Sequence, residues 1–235
     1  MIEIAIAVGV IGFALVAVIG ILPKGMNVQK DNREETIISQ DAPYFLNAIR
    51  NGEMRTNNSI LTGYVESITV TNVGGPNPNI VYNNLFLTGG TNNAFLTNDM
   101  IIVGLLSTPE FDSRFAGQSN GVIAIVDAMT GSAIQQNGAN SATTFRYQLT
   151  VEIDPWGFNS GYPAPQYYMD SMAGNLHEIR LKFAWPVLPN GNIGPGRQTY
   201  RSLISSHLST NNYYRPPFNL PLWFFQPQSY STNNS

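Results

Sequence analysis

The spacing of apolar residues divides the chain into a uniformly apolar start, an amphipathic stretch and a longer region of short apolar runs. From Ile4 to Leu22 there are 19 residues, none of them charged or strongly polar. As a helix they span roughly 28 Å, close to the thickness of a bilayer core. Because the run is apolar on every side, it predicts a helix that lies in lipid or in a protein core.

A different pattern predicts that this helix continues from residue 24 to about residue 51. Residues 24–35 are polar and charged, and an apolar face at helical spacing follows them: Ile38, Ala42, Phe45, Leu46 and Ile49. This face is expected to pack on a globular domain. Pro23 and Pro43 each predict a kink or an end, since proline removes a backbone donor. Gly52 predicts the C-terminal stop.

Beyond Gly52 the short apolar runs predict β-strands. The clearest run alternates Ile179, Leu181, Phe183 and Trp185 with Glu178, Arg180 and Lys182, which is typical of a half-solvated antiparallel strand. The predicted strands cover residues 65–73, 80–87, 100–106, 122–126, 145–153, 176–185 and 198–204. The expected fold is therefore α+β, with a long helix over residues 1–52 packed on an antiparallel β-rich head over residues 53–235.

The tail from about residue 210 is rich in proline and aromatic residues. Its proline density excludes a helix and a central strand. Five large aromatic side chains should not remain in water: Tyr214, Phe218, Trp223, Phe224 and Phe225. They dock either on their own domain or on a neighbouring subunit, and the sequence leaves both alternatives open.

Composition favours a protein that contacts copies of itself or carries long polar loops. Only 11% of residues are charged, against about 25% in ordinary soluble domains. A surface of neutral polar groups lacks the like-charge repulsion that keeps proteins monomeric. The net charge of -3 and the lack of a basic stripe argue against nucleic-acid binding. The chain has no cysteine, which excludes disulfides, thiolate metal sites and a cysteine nucleophile.

Catalytic chemistry finds little support. The two histidines, His177 and His207, lie in no metal-ligand spacing, and the position of His177 beside Glu178 in the alternating strand predicts that it lies on the solvated strand face. Residues 117–121 match G-x-S-x-G around Ser119, but they precede an apolar strand-like run instead of following one. A turn is therefore predicted there. We expect no enzyme activity, no cofactor and no metal.

Three interpretations of the apolar run compete: a secretory signal peptide, a plain membrane anchor and an assembly helix. A signal peptide would have a basic start, but the acid Glu3 precedes the run. A lone carboxylate at the head of a membrane helix is costly unless it is paired, as with an ammonium group of a neighbouring subunit. Alternatively, Glu3 sits at the membrane interface and favours the helix N-terminus. Gly9, Gly12 and Gly20 permit close helix approach.

Met1-Ile2-Glu3-Ile4 followed by the long apolar helix resembles the N-terminus of type IV pilins and pseudopilins. The resemblance implies two mature residues before Met1, a leader removed by a prepilin peptidase, and an inner-membrane anchor that later enters a filament core. It also implies an assembly surface formed by Glu3, Ile4, Val8, Gly9, Gly12, Phe13, Val16, Gly20, Leu22 and Pro23.

Residues 19–26, 175–187 and 189–201 show a narrower resemblance to the pilin-like cassette proteins of Verrucomicrobia-type bacteria. The resemblance implies a structural subunit of an extracellular type IV pilus-like filament, built from copies of the chain by a pilus-type assembly machinery. The alternatives are a minor pseudopilin of a type II secretion-like apparatus and a monomeric, membrane-anchored surface adhesin.

Overall fold

A computed structural model describes residues 2–52, 60–73, 79–84, 96–110, 119–129, 145–156, 174–215 and 218–227. Over these residues the chain is one long helix joined to an antiparallel β-domain, so the predicted α+β class is confirmed.

Helix α1 runs without interruption over Ile2–Asn51, so an end of the helix at Pro23 or Pro43 is excluded. A proline costs a helix one hydrogen bond, yet its fixed φ lies close to the helical value. Burial of Ala42 and Phe45 on either side of Pro43 offsets that cost. The helix ends before Gly52, whose φ of 53° is left-handed, as predicted for its C-terminal stop.

Six antiparallel strands form one sheet: β1 (Val65–Val73), β2 (Asn79–Asn83), β3 (Ser119–Asp127), β4 (Arg146–Pro155), β5 (Leu176–Val187) and β6 (Ile193–Ser205). Their order in the sheet is β2-β1-β3-β4-β5-β6. The predicted strands on residues 65–73, 80–83, 122–126, 145–153, 176–185 and 198–204 are confirmed apart from differences at their ends, and residues 85–87 lie outside the described residues.

The strand predicted at residues 100–106 is wrong, because this segment is helix α2 (Asp99–Leu106). A short apolar run does not distinguish a buried helix from a buried strand. The deciding signal is the cap: the Asn98 side chain accepts a hydrogen bond from the Ile101 backbone at 2.9 Å. Gly104 then lets the helix approach β-strand side chains closely, since a Cβ there would lie 2.8 Å from Leu222 and Phe224 atoms.

The tail forms a separate two-stranded sheet of β7 (His207–Arg215) and β8 (Phe218–Gln226). Pro221 lies within β8 opposite Asn212. This agrees with the expectation that the tail contains no central strand, because both strands of a two-stranded sheet are edges. The sequence did not predict that the tail would be paired into strands at all.

The core lies between the second half of α1, one face of the six-stranded sheet, α2 and β8. The alternation predicted for β5 is confirmed: its odd-numbered side chains from Ile179 to Trp185 are buried, and Lys182 on the other face is exposed. The largest fully buried side chains are Tyr147, Phe45, Phe183, Phe224 and Phe225.

Candidate assembly surface

The first part of α1 projects from the head with its apolar side chains uncovered. Every side chain from Ile2 to Ile21 is exposed, and Phe13 has 79% of its surface accessible. By length and composition this helix is able to cross a membrane, a property it shares with N-terminal signal sequences. An apolar surface of this extent marks a region that lipid or another protein covers.

The residues predicted for assembly all lie on this projecting helix. Glu3, Ile4, Val8, Phe13 and Val16 are exposed along it. Leu22 and Pro23 are helical in their backbone, and their side chains lie outside the described residues. At Gly9, Gly12 and Gly20 no described atom of the rest of the chain lies within 4 Å of where a Cβ would be. These glycines therefore make room for nothing in the described part of their own chain.

A buried carboxylate fastens the second half of α1 to the head. Asp41 is fully buried and accepts hydrogen bonds from the Met129 backbone N–H and the Tyr147 hydroxyl, each at 3.0 Å. Burial, together with the adjacent Asp41, raises the pKa of Tyr147 well above its usual value. Sequence reasoning missed Asp41, although its position between Ile38 and Ala42 on the apolar face of the helix was a signal.

Two further contacts join α1 to the edge strand β6. The Tyr200 hydroxyl donates to Ser39 Oγ at 3.2 Å, and the Arg50 guanidinium donates to Ser202 Oγ at 3.1 Å. Together with Asp41, they attach the helix to the head at its middle and at its end.

The aromatic tail packs on its own domain where the structure describes it. Phe224 and Phe225 are each 1% exposed and belong to the core, so the intersubunit alternative is wrong for these two residues. Trp223 is half-buried. The side chains of Tyr214 and Phe218 lie outside the described residues.

His177 is buried, so the prediction of a solvated strand face is wrong. It shares the odd-numbered positions of β5 with Ile179 and Leu181, and those positions face the core. Its ring stands edge-on to Phe225 with centroids 5.3 Å apart. Burial and the neighbouring His207 lower the pKa of His177 to about 4, so the ring is neutral at physiological pH.

The opposite face of the sheet carries a charged cluster around Arg180. Arg180 Nε lies 3.0 Å from Glu152 Oε2, Nη2 lies 3.7 Å from Glu110 Oε2, and Nη2 also contacts Asp154. Lys182 pairs with Glu152. Partial burial and the nearby carboxylates, Asp154 first, raise the pKa of Glu110 to about 7 against the effect of Arg180. The cluster is an ion-pair network on the surface of the sheet.

The residues considered for catalysis do not form a site in the described ranges. No group of three or more His, Cys, Asp or Glu residues there is arranged to hold a metal ion. The predicted turn at Ser119 is wrong, because β3 begins at this residue and Ser119 pairs with Val73 of β1. A serine in the ladder of a strand lacks the sharp strand-to-helix turn of a hydrolase nucleophile.

Comparison with known proteins gives no assignment. No protein-family model, curated protein or solved structure matches the chain. The uncovered apolar half of α1 is therefore the feature of the described chain that bears most directly on function.

Proposed function

We propose that this chain is a structural subunit of an extracellular type IV pilus-like filament, with a pilin-like fold. The observation that supports the proposal is the division of α1. Its second half is embedded in the head through Ile38, Phe45 and Asp41, whereas its apolar first half touches nothing in the described head. One continuous helix thus joins an exposed apolar segment, residues 2–21, to a folded domain. This segment is called the rod below.

Covering the exposed apolar side chains of the rod is favourable by a large free energy. Twelve large apolar side chains between Ile2 and Ile21 are exposed. At about 1.5 kcal/mol each, the low end for burying such a side chain, covering them is worth roughly 18 kcal/mol. That exceeds the 5–15 kcal/mol that typically stabilises a whole domain. Before assembly the inner membrane covers the rod, and in the filament the rods of neighbouring copies do so.

Packing against other helices explains the glycines better than lipid does. Gly9, Gly12 and Gly20 each cost about 1 kcal/mol relative to alanine in a helix. Nothing in the described chain needs the space they leave. Lipid chains do not require this space either, whereas a second helix that packs at the glycines can bring its backbone close to that of α1. Glu3, at the head of the rod, is then neutralised by a positive charge of a neighbouring copy.

The proposed partners follow from this assembly. They are further copies of the chain, a prepilin peptidase that processes the N-terminus, and a pilus-type machinery that drives polymerisation at the inner membrane. A minor pseudopilin would use the same rod but would be scarce, and an anchored adhesin would remain monomeric in the membrane.

The test is assembly by cells that express the chain with Glu3→Ala. Glu178→Ala on β5 is the matched control, because it removes the same side chain from the head. Filaments sheared from the cells are counted by electron microscopy, and mass spectrometry identifies their main protein. We expect the wild type and the control to give filaments of this chain. Glu3→Ala should insert into the membrane normally and give none.

Two results would contradict the proposal in different ways. If the wild-type chain stayed in the membrane fraction with no filaments containing it, the filament would be rejected. If Glu3→Ala assembled as well as the control, the filament would stand and the role given to Glu3 would be rejected. The first result would favour an anchored monomer or a scarce tip subunit.

A further inference from the structure

Charge is concentrated in one short segment of α1, between the apolar rod and the head. Residues 24–35 hold six charged side chains in twelve positions, although charged residues make up only 11% of the whole chain. Three are cations and three are anions: Lys24, Lys30, Arg33, Asp31, Glu34 and Glu35. Such a density in a chain otherwise poor in charge calls for a physical explanation.

Three of the six form a stripe on one face of the helix. At about 100° per residue, Lys24, Asp31 and Glu35 fall within about 40° of one another. All three are exposed, and their side chains make no hydrogen bond or ion pair with another described residue. Lys30 and Glu34, by contrast, pair with each other at 3.7 Å on a different face.

The stripe cannot pair within its own helix. Side chains meet on a helix at spacings of three and four residues, but Lys24 is seven residues from Asp31 and eleven from Glu35. These spacings correspond to roughly 10 Å and 16 Å along the axis.

The same face continues into the apolar rod. Ile6, Val10, Phe13 and Ala17 lie within about 60° of the charged stripe, and all are exposed. The helix therefore presents one continuous face that is apolar over residues 6–17 and charged over residues 24–35. A parallel helix packed along the apolar part brings its own charged part alongside.

We infer that this stripe pairs with the stripe of a second copy displaced along the helix axis, so that Lys24 of one copy meets Asp31 or Glu35 of its neighbour. The inference rests on the proposed filament and specifies how its subunits are staggered. The displacement follows from the spacings and is roughly 10–16 Å.

The stripe acts mainly by excluding the wrong register. Two copies side by side without displacement would set Lys24 against Lys24 and Asp31 against Asp31, and like-charge contacts across an interface are unfavourable. The apolar rod alone would tolerate many registers, because its side chains are similar along its length. The charged stripe selects one range among them.

Charge inversion tests the inference. Lys24→Glu makes the stripe wholly acidic, and we expect it to lower the filament yield about tenfold or more. The triple variant Lys24→Glu/Asp31→Lys/Glu35→Lys restores opposite charges at the same spacings and should recover the yield. Arg201→Glu on β6 is the control, since it changes the net charge equally on a strand of the head.

A cysteine measurement keeps the inference falsifiable if Lys24→Glu also alters membrane insertion. The chain has no native cysteine, and Lys24→Cys/Asp31→Cys cannot close within one helix at this separation. Mild oxidation of filaments should therefore give a ladder of linked chains. Met26→Cys/Arg33→Cys has the same spacing on the opposite face and should give little linkage.

The outcomes separate the two proposals. If the wild type forms no filaments, both the proposed function and the inferred axial displacement between subunits are rejected. If filaments form and Lys24→Glu assembles normally, or both cysteine pairs link equally, the filament stands and the stagger is wrong.

Discussion

Replacing Asp41 with alanine should destabilise the head severely while leaving the apolar rod unchanged. The side chain is fully buried and accepts hydrogen bonds from the Met129 N–H and the Tyr147 hydroxyl. Tyr147 is also fully buried, so its hydroxyl has no access to water when Asp41 is gone. A buried donor left unpaired costs about 1–3 kcal/mol, which applies in full to the Tyr147 hydroxyl, and the half-buried Met129 N–H adds a smaller amount.

The change is measured by urea unfolding of the full chain in detergent micelles, followed by tryptophan fluorescence. Asp31→Ala is the matched control on the exposed surface of the same helix, where substitutions usually cost less than about 0.5 kcal/mol. Tyr147→Phe removes one of the two donors, so the loss caused by Asp41→Ala should be smaller in that background. An Asp41→Ala chain that unfolds within 0.5 kcal/mol of the wild type would refute this account of how the helix is attached.

Further predictions concern pH and glycine packing. The folded-state pKa of Glu110, about 7, lies above its ordinary value of 4.5. The free energy of unfolding should therefore decrease as the pH rises from about 4.5 to 7. Glu110→Gln should reduce this decrease when urea unfolding is measured between about pH 5 and pH 8. The lowered pKa of His177 has the opposite effect, because the unfolded chain binds a proton at a higher pH than the folded chain does. The free energy of unfolding should therefore decrease as the pH falls from 6.5 towards 4. His177→Phe should reduce this decrease in the same assay. Gly104→Ala should lower the midpoint of thermal unfolding at a cost of about 1–3 kcal/mol, because its Cβ would crowd β8 side chains. Gly9→Ala, in open space on the rod, should not lower that midpoint, because alanine is the better helix former and its Cβ meets nothing in the described chain.

Elements with a long or strict pattern could be predicted from the sequence. The length and composition of α1 and the alternation in β5 followed from periodicity, and Gly52 marked the end of the helix. The predicted strand at α2 is wrong because its short apolar run shows neither the helical nor the strand period. The Asn98 cap, which marks the start of a helix, is the signal that distinguishes the two. The predicted solvated face for His177 is wrong, because the odd-numbered positions of β5, which include Ile179 and Leu181, face the core.

Contacts between distant parts of the chain were beyond reach of the sequence. Asp41 meets partners 88 and 106 residues away, and no local pattern identifies them. The pairing of β7 with β8 was missed because proline in β8 argues against a central strand but not against an edge strand. The exposure of residues 2–21 on α1 was easier to predict, because it follows from one contiguous apolar run and needs no long-range contact.

The unbroken course of α1 has a mechanical consequence. Tension applied to the exposed end travels into the packed half along one continuous helix, whose ladder of backbone hydrogen bonds lacks a donor only at Pro23 and Pro43. There the load is divided among the Asp41 bonds, the Ser39 and Arg50 contacts to β6 and the buried apolar face, and is not borne by a single link. A protein built in this way yields to a pulling force only when several of these contacts fail together.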